Sequence, residues 1–243
     1  NPAGRPIEGL LLRAGWESFV GAGVLPMRHG LTPGELAKWF VRTLNLDVEC
    51  EVVTMEGWQP ESAPGYGWPL GERAWVNPSP NAANPWMARC YAGTVMLEGT
   101  TLSEGRGTTR PLEIFGAPDL EPRALIATME SLAPHWMHGC RLRACWFEPT
   151  FQKHAGKLCA GIQIHVDDPA YDHDAFRPWR LLALAFKATR MLRPDYELWR
   201  DFPYEYERGR LAIDLINGSP LLREWVDDAA AIAADLDALA RPD

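Results

Sequence analysis

The sequence predicts an α+β fold, a mixed sheet with flanking helices and long loops, and three observations carry that expectation. Segments of strand periodicity are interspersed with segments of helical periodicity along the whole chain. A Pro-, Gly- and Trp-rich stretch, 57–84, is too long for a simple connection and reads as an elaborate surface loop. No internal repeat or low-complexity tract interrupts the pattern, so a mixed α+β domain is the simplest architecture. With 243 residues, 47% of them hydrophobic, the chain can bury a sizeable core.

The elements follow in order. Asn1-Pro2-Ala3-Gly4-Arg5-Pro6 is turn-rich and resembles a linker, and the apolar residues around Leu10 to Leu12 follow it. Residues 1–15 are therefore expected to be an interdomain linker and first strand, with 16–243 forming one domain. Thr32-Pro33-Gly34-Glu35 opens a helix, because Thr32 suits the N-cap, Pro33 the first helical position and Glu35 the return bond of a capping box. Leu36, Phe40 and Leu44 give it an apolar stripe. Residues 47–55 alternate like a strand, and the compact apolar run 92–97 reads as a buried strand. Residues 121–132 fit a helix with Leu125, Met129 and Leu132 inward, and 143–147 and 161–166 fit two more strands. A long helix is expected over 174–192, with Pro178 in its first turn, and an Ala-rich packing helix over 220–239.

Composition excludes several functions. A net charge of −8 without clustered Lys and Arg argues against a nucleic-acid partner. No run approaches the roughly 20 apolar residues of a membrane span. The five cysteines form no CxxC or zinc-finger spacing and no HExxH occurs, so neither a metal nor another cofactor is assigned. Eleven Trp suit aromatic-lined clefts, although most Trp in any protein are packing residues.

Chemistry concentrates in 98–111. Three glycines allow close approach of a ligand to a loop carrying Glu98, Glu104, Arg106, Thr108 and Arg110. No Walker or GxGxxG order is present, which removes nucleotide binding. Two alternatives stay open: the charged residues pair with one another to hold a long loop, or they bind a sugar and its carboxylate substituents. Glycoside hydrolysis needs two carboxyl groups about the scissile bond, which makes Glu98 and Glu104 the candidate catalytic pair.

The stretch 91–119, YAGTVMLEGTTLSEGRGTTRPLEIFGAPD, closely resembles the NamZ-type exo-β-N-acetylmuramidases. Other segments run in the same order: Phe19-Val20-Gly21, Pro26-Met27-Arg28-His29-Gly30-Leu31-Thr32, Trp75-Val76-Asn77-Pro78-Ser79-Pro80-Asn81, Lys153-His154-Ala155-Gly156, Gln163-Ile164-His165-Val166 and Pro203-Tyr204-Glu205-Tyr206-Glu207. The resemblance implies removal of N-acetylmuramic acid from the non-reducing ends of peptidoglycan fragments, in a secreted, periplasmic or cell-envelope setting in a bacterium. It also implies a Rossmann-like amino-terminal domain that meets a carboxyl-terminal domain at the active-site cleft. The present chain is expected to supply only the second, the family's main catalytic glutamate lying in an upstream domain partner. Arg28 and His29, just before a helix N-terminus, are candidates for the lactyl carboxylate. Asn81 and His165 are candidates for sugar contacts and Trp75 for stacking, whereas Lys153 and His154 are weaker. Ala82-Ala83-Asn84-Pro85 departs from the family pattern, and Pro85 is expected to shorten the helical approach to Tyr91.

Overall fold

A computed structural model of the chain describes residues 2–59 and 74–240. Helices α1 (Pro33–Thr43) and α2 (Pro85–Thr94) come first, and a 3-10 turn (Val95–Gly99) continues α2. Strand β1 (Ile114–Ala117), helix α3 (Pro122–Leu132) and the pair β2 (Arg141–Phe147) and β3 (Cys159–His165) follow. Helix α4 (Pro178–Leu192) crosses the core, and three short helices close the chain: α5 (Ala212–Asn217), α6 (Leu221–Asp227) and α7 (Ala233–Leu239).

The sheet is small and antiparallel, in the order β1-β3-β2, with Ile114 opposite Gln163 and Arg143 opposite Gln163 from the other side. One face, with Phe115, Ile162 and Ile164, joins the main core. Helix α4 is that core's axis: Trp179, Leu181, Leu182, Leu184 and Phe186 are all buried, with α2, α3 and α6 packed around them. At its crossing with α2 the backbones nearly touch. A Cβ on Gly93 would lie 2.0 Å from the Pro178 carbonyl oxygen, so only glycine fits there.

Thr32 caps α1 as its sequence requires: its hydroxyl accepts from the Glu35 amide at 3.2 Å, and the Glu35 carboxylate accepts from the Thr32 amide at 2.8 Å. Helices α3 and α4 and strands β2 and β3 stand within a few residues of where periodicity puts them. The expected mixed sheet is corrected to an antiparallel one among the described residues. Residues 47–55 form no strand, because Val48 and Val53 stand in solvent without a ladder to join. Residues 92–97 are helical rather than extended. Their helix starts at Pro85, which opens α2 as its first residue, with the Asn84 side chain accepting from the Met87 amide at 2.8 Å. The expected helix over 220–239 is two, broken at Asp228, where the buried Lys187 ammonium donates to the carbonyls of Trp225 and Asp228. In 1–15 the only pairing among the described residues is an isolated bridge between Glu8 and Arg28. Of the long loop, residues 60–73 lie outside the described residues.

Candidate functional site

The loop after α2 is pinned before it can present anything. Ser103 and Gly116 exchange backbone hydrogen bonds of 2.8 and 3.0 Å, which ties the loop to the edge of β1, and the Leu112 amide donates to the Glu104 carbonyl at 2.9 Å. From this frame a chain of charges runs from the interior outward. Lys153 lies 2.8 Å from Glu104 Oε2, Arg106 Nε donates to Glu104 Oε1 at 2.8 Å, and Arg106 Nη2 donates to Glu98 Oε1 at 2.8 Å. Tyr204 completes it, donating its hydroxyl to Glu98 Oε2 at 2.8 Å. The Lys153 ammonium also donates to the carbonyls of Leu97 and Thr100, at 2.6 and 3.1 Å, so it holds the 3-10 turn that carries Glu98.

The two ends of the chain differ. Glu104 is 1% exposed. Burial alone would raise its pKa, but the Lys153 ammonium and then Arg106 outweigh that and hold it below the ordinary carboxylate value. Burial brings Lys153 down to about 8 against the pull of Glu104, which leaves it charged at neutral pH. Burial, then the neighbouring Glu98 carboxylate, pushes the Tyr204 hydroxyl well up, so it acts as a donor. A carboxylate so enclosed and so acidic is an anchor for Arg106 and a poor proton donor.

Glu98 and Arg106 instead open on a cavity of about 370 Å³, bounded by Pro78, Ser79, Asn81 and the Tyr91 ring. Tyr91 also borders a larger, mainly apolar cleft of about 430 Å³, walled by residues 20–23 and 25–27, by His29, and by Tyr204 and α5. Tyr91 is thus a lining residue of both hollows.

The amino-terminal model of "Exo-beta-N-acetylmuramidase NamZ" matches residues 1–86, and the carboxyl-terminal model of the same protein matches 89–243. The chain belongs to the NamZ family. It is 40% identical over 169 residues to the peptidoglycan β-N-acetylmuramidase NamZ of Bacillus subtilis (strain 168), an alignment covering 69% of this chain and 39% of that relative. Its fold is similar to two solved structures of DUF1343 family proteins from Bacteroides fragilis NCTC 9343. One has a TM-score of 0.75 at 25% identity, covering 98% of this chain and 62% of the other; the second has 0.65 at 23%, covering 98% and 58%. The chain thus spans less than two thirds of the relatives it matches. The amino-terminal NamZ model falls on a stretch that the sequence reading assigns to linker and carboxyl-terminal domain, so an entirely absent amino-terminal domain is not supported.

Both hollows straddle the seam between the two NamZ models: Ser79 and Asn81 come from the first, and Tyr91, Glu98 and Arg106 from the second. The other candidates do not line the smaller cavity. Arg28 is 3% exposed, with Nε and Nη2 donating to the Ala3 carbonyl at 2.9 and 2.7 Å and Nη1 to the Phe176 carbonyl at 2.8 Å; it ties the amino-terminal arm to the core. His29 is half-buried, its Nδ1 accepting from the Leu31 amide at 3.1 Å, and burial lowers its pKa. Trp75 donates to the Ala82 carbonyl at 2.7 Å and steadies the loop that carries Asn81. Thr108, Arg110 and His165 gather on the other side of the loop, over the sheet. There Arg110 bridges Glu113 and Asp167 at 2.9 and 2.8 Å, and His165 lies 3.4 Å from Asp167. Thr108 and Arg110 line a groove there with Arg143 and Gln163, and the Thr108 hydroxyl donates to the Gly105 carbonyl at 2.6 Å. Tyr91 and Tyr204 carry no local signal of a site role in the sequence, although both lie in the segments that resemble the family, and nothing local joins Lys153 to Glu104.

Proposed function

We propose that this chain supplies the terminal-sugar pocket of an exo-β-N-acetylmuramidase that releases N-acetylmuramic acid from peptidoglycan fragments. The carrying observation is the Glu98–Arg106 pair, presented to the seam cavity by the buried Glu104–Lys153 pair. Arg106 keeps Nη1 without a partner among the described residues, and a guanidinium held on two sides is preorganised for the lactyl carboxylate that distinguishes muramic acid from glucosamine. Glu98 has both oxygens fixed by donors, with lone pairs remaining for sugar hydroxyls. Ser79 and Asn81 complete the polar rim, and Tyr91 offers an aromatic wall. On this reading Glu98 is the carboxylate that meets substrate and Glu104 is not. The second carboxylate that glycoside hydrolysis needs comes from another part of the protein, since Glu98 is the one acidic residue lining the cavity among the described residues.

That single acidic lining also favours a second reading, a carbohydrate-binding module without turnover. The deciding experiment measures sugar release from N-acetylmuramic acid and N-acetylglucosamine glycosides by the complete natural protein and by this chain alone. Muramic-specific release that falls about 100-fold in Glu98→Gln is expected. Binding without release by the complete protein would establish the second reading, and equal release of both sugars would sink the assignment of Arg106.

A further inference from the structure

Two tight turns form the outer rim of the larger cleft. Ser18 and Gly21 exchange backbone hydrogen bonds of 2.9 and 3.2 Å, which puts Phe19 and Val20 at a two-residue tip. Tyr204 and Glu207 exchange bonds of 2.9 Å each, which puts Glu205 and Tyr206 at a second tip. Val20, Gly21 and Tyr204 line the cleft, so both tips stand at its mouth. Phe19 is 71% exposed and Tyr206 90%, and their rings meet edge to face with centroids 5.2 Å apart.

This corner is strained and rigidly held. Glu205 and Tyr206 have φ of 45° and 70°, left-handed backbone at two consecutive residues where such a turn favours Gly, Asn or Asp. Arg210 locks the two tips together: Nε donates to Glu207 at 3.0 Å, Nη1 to the Gly15 carbonyl at 3.0 Å and Nη2 to the Glu17 carbonyl at 3.4 Å, with the guanidinium over the Trp16 ring. Core packing does not explain a tyrosine that is almost wholly exposed in strained backbone.

We infer that Phe19 and Tyr206 form an aromatic platform for the sugar ring next to the terminal one, the leaving side of the glycan. A pyranose has a flat C–H face that lies against an aromatic ring and hydroxyls around its edge, and the platform combines two exposed aromatic side chains with the exposed Glu205 as an acceptor. The cleft behind it and the terminal-sugar cavity are both lined by Tyr91, which sets pocket and platform on either side of that one residue, in the order a glycan extending from the pocket would meet them. The inference rests on the muramidase reading given above.

Tyr206→Gly provides the test, because it removes the ring and relieves the backbone at once. In the complete natural protein, kcat/KM is measured on the methyl glycoside of N-acetylmuramic acid and on an N-acetylmuramic acid–N-acetylglucosamine disaccharide. The ratio of disaccharide to methyl glycoside is expected to fall about tenfold in Tyr206→Gly, with Phe19→Ala acting in the same direction and the melting temperature of Tyr206→Gly equal to or above the parent's. An unchanged ratio in an active parent overturns the platform and leaves the corner as a docking surface for another part of the protein. An equal loss on both substrates with a lowered melting temperature overturns it as well, assigning Tyr206 to the fold. A parent that releases sugar from neither substrate instead fails the muramidase reading, and the platform falls with it.

Discussion

At the scale of single residues, Glu104 and Glu98 of the loop 98–111 are alike in sequence and opposite in surroundings. Glu104 is enclosed by Lys153 and Arg106, whereas Glu98 reaches a cavity. Its lowered pKa means that the Glu104 carboxylate contributes its full stabilisation above pH 4.5, the ordinary value, and loses it as pH falls through the lower folded value. Glu104→Gln is expected to cost about 3 kcal/mol at neutral pH, since it leaves Lys153 buried without its counter-charge. Thermal melts across the acid range should show that cost shrinking below pH 4.5; a constant difference would mean that the pair does not govern this limb. The density of charge was legible in the sequence. Which carboxylate is the anchor was not, because Lys153 is 49 positions away from Glu104, 153 less 104, and no local pattern joins them.

At the scale of elements, capping chemistry carried furthest where it is local. Thr32, Pro33 and Glu35 start α1 as written, and Asn84 with Pro85 start α2 by the same logic. The apolar run 92–97 is compatible with either a strand or a buried helix end, and periodicity cannot separate them over six residues. Close contact with α4 settles it, since Gly93 lets the α2 backbone rest on the Pro178 carbonyl. Gly93→Ala is accordingly expected to destabilise the protein by about 3 kcal/mol despite the better helix propensity of alanine, and denaturant unfolding will measure it. A stabilised variant would show that the two helices are free to separate. The long apolar pattern of 220–239 fails as one helix for a related reason: the Lys187 ammonium takes the carbonyls at the end of α6.

At the scale of the whole molecule, the amino-terminal arm is fastened to α4 and its approach. Arg28 joins the carbonyls of Ala3 and Phe176, Glu8 accepts from the Arg180 amide at 2.7 Å, and Gly4 rests against His173. Burial, then the positive charges of Arg28, Arg89 and Arg177, lowers the His173 pKa from 6.5 to about 3. The unfolded chain takes up a proton that the folded one refuses, so stability falls as pH drops from about 6.5 toward 3, a window that begins above that of Glu104. His173→Gln is expected to flatten the melting-temperature profile between pH 6.5 and 4.5, and an unaltered slope there would place the acid sensitivity elsewhere. By itself the sequence determined the α+β class, the helices whose caps and stripes are local, the strands β2 and β3, and the family, because each is written in residues close together along the chain. The tertiary structure alone decided the antiparallel sheet order, the arm-fastening place of Arg28, the separation of Thr108, Arg110 and His165 from Glu98, and the place of Tyr91 in the walls of two hollows. Those depend on which distant segments share a neighbour, and burial and pairing energies between segments leave no periodic trace in either one.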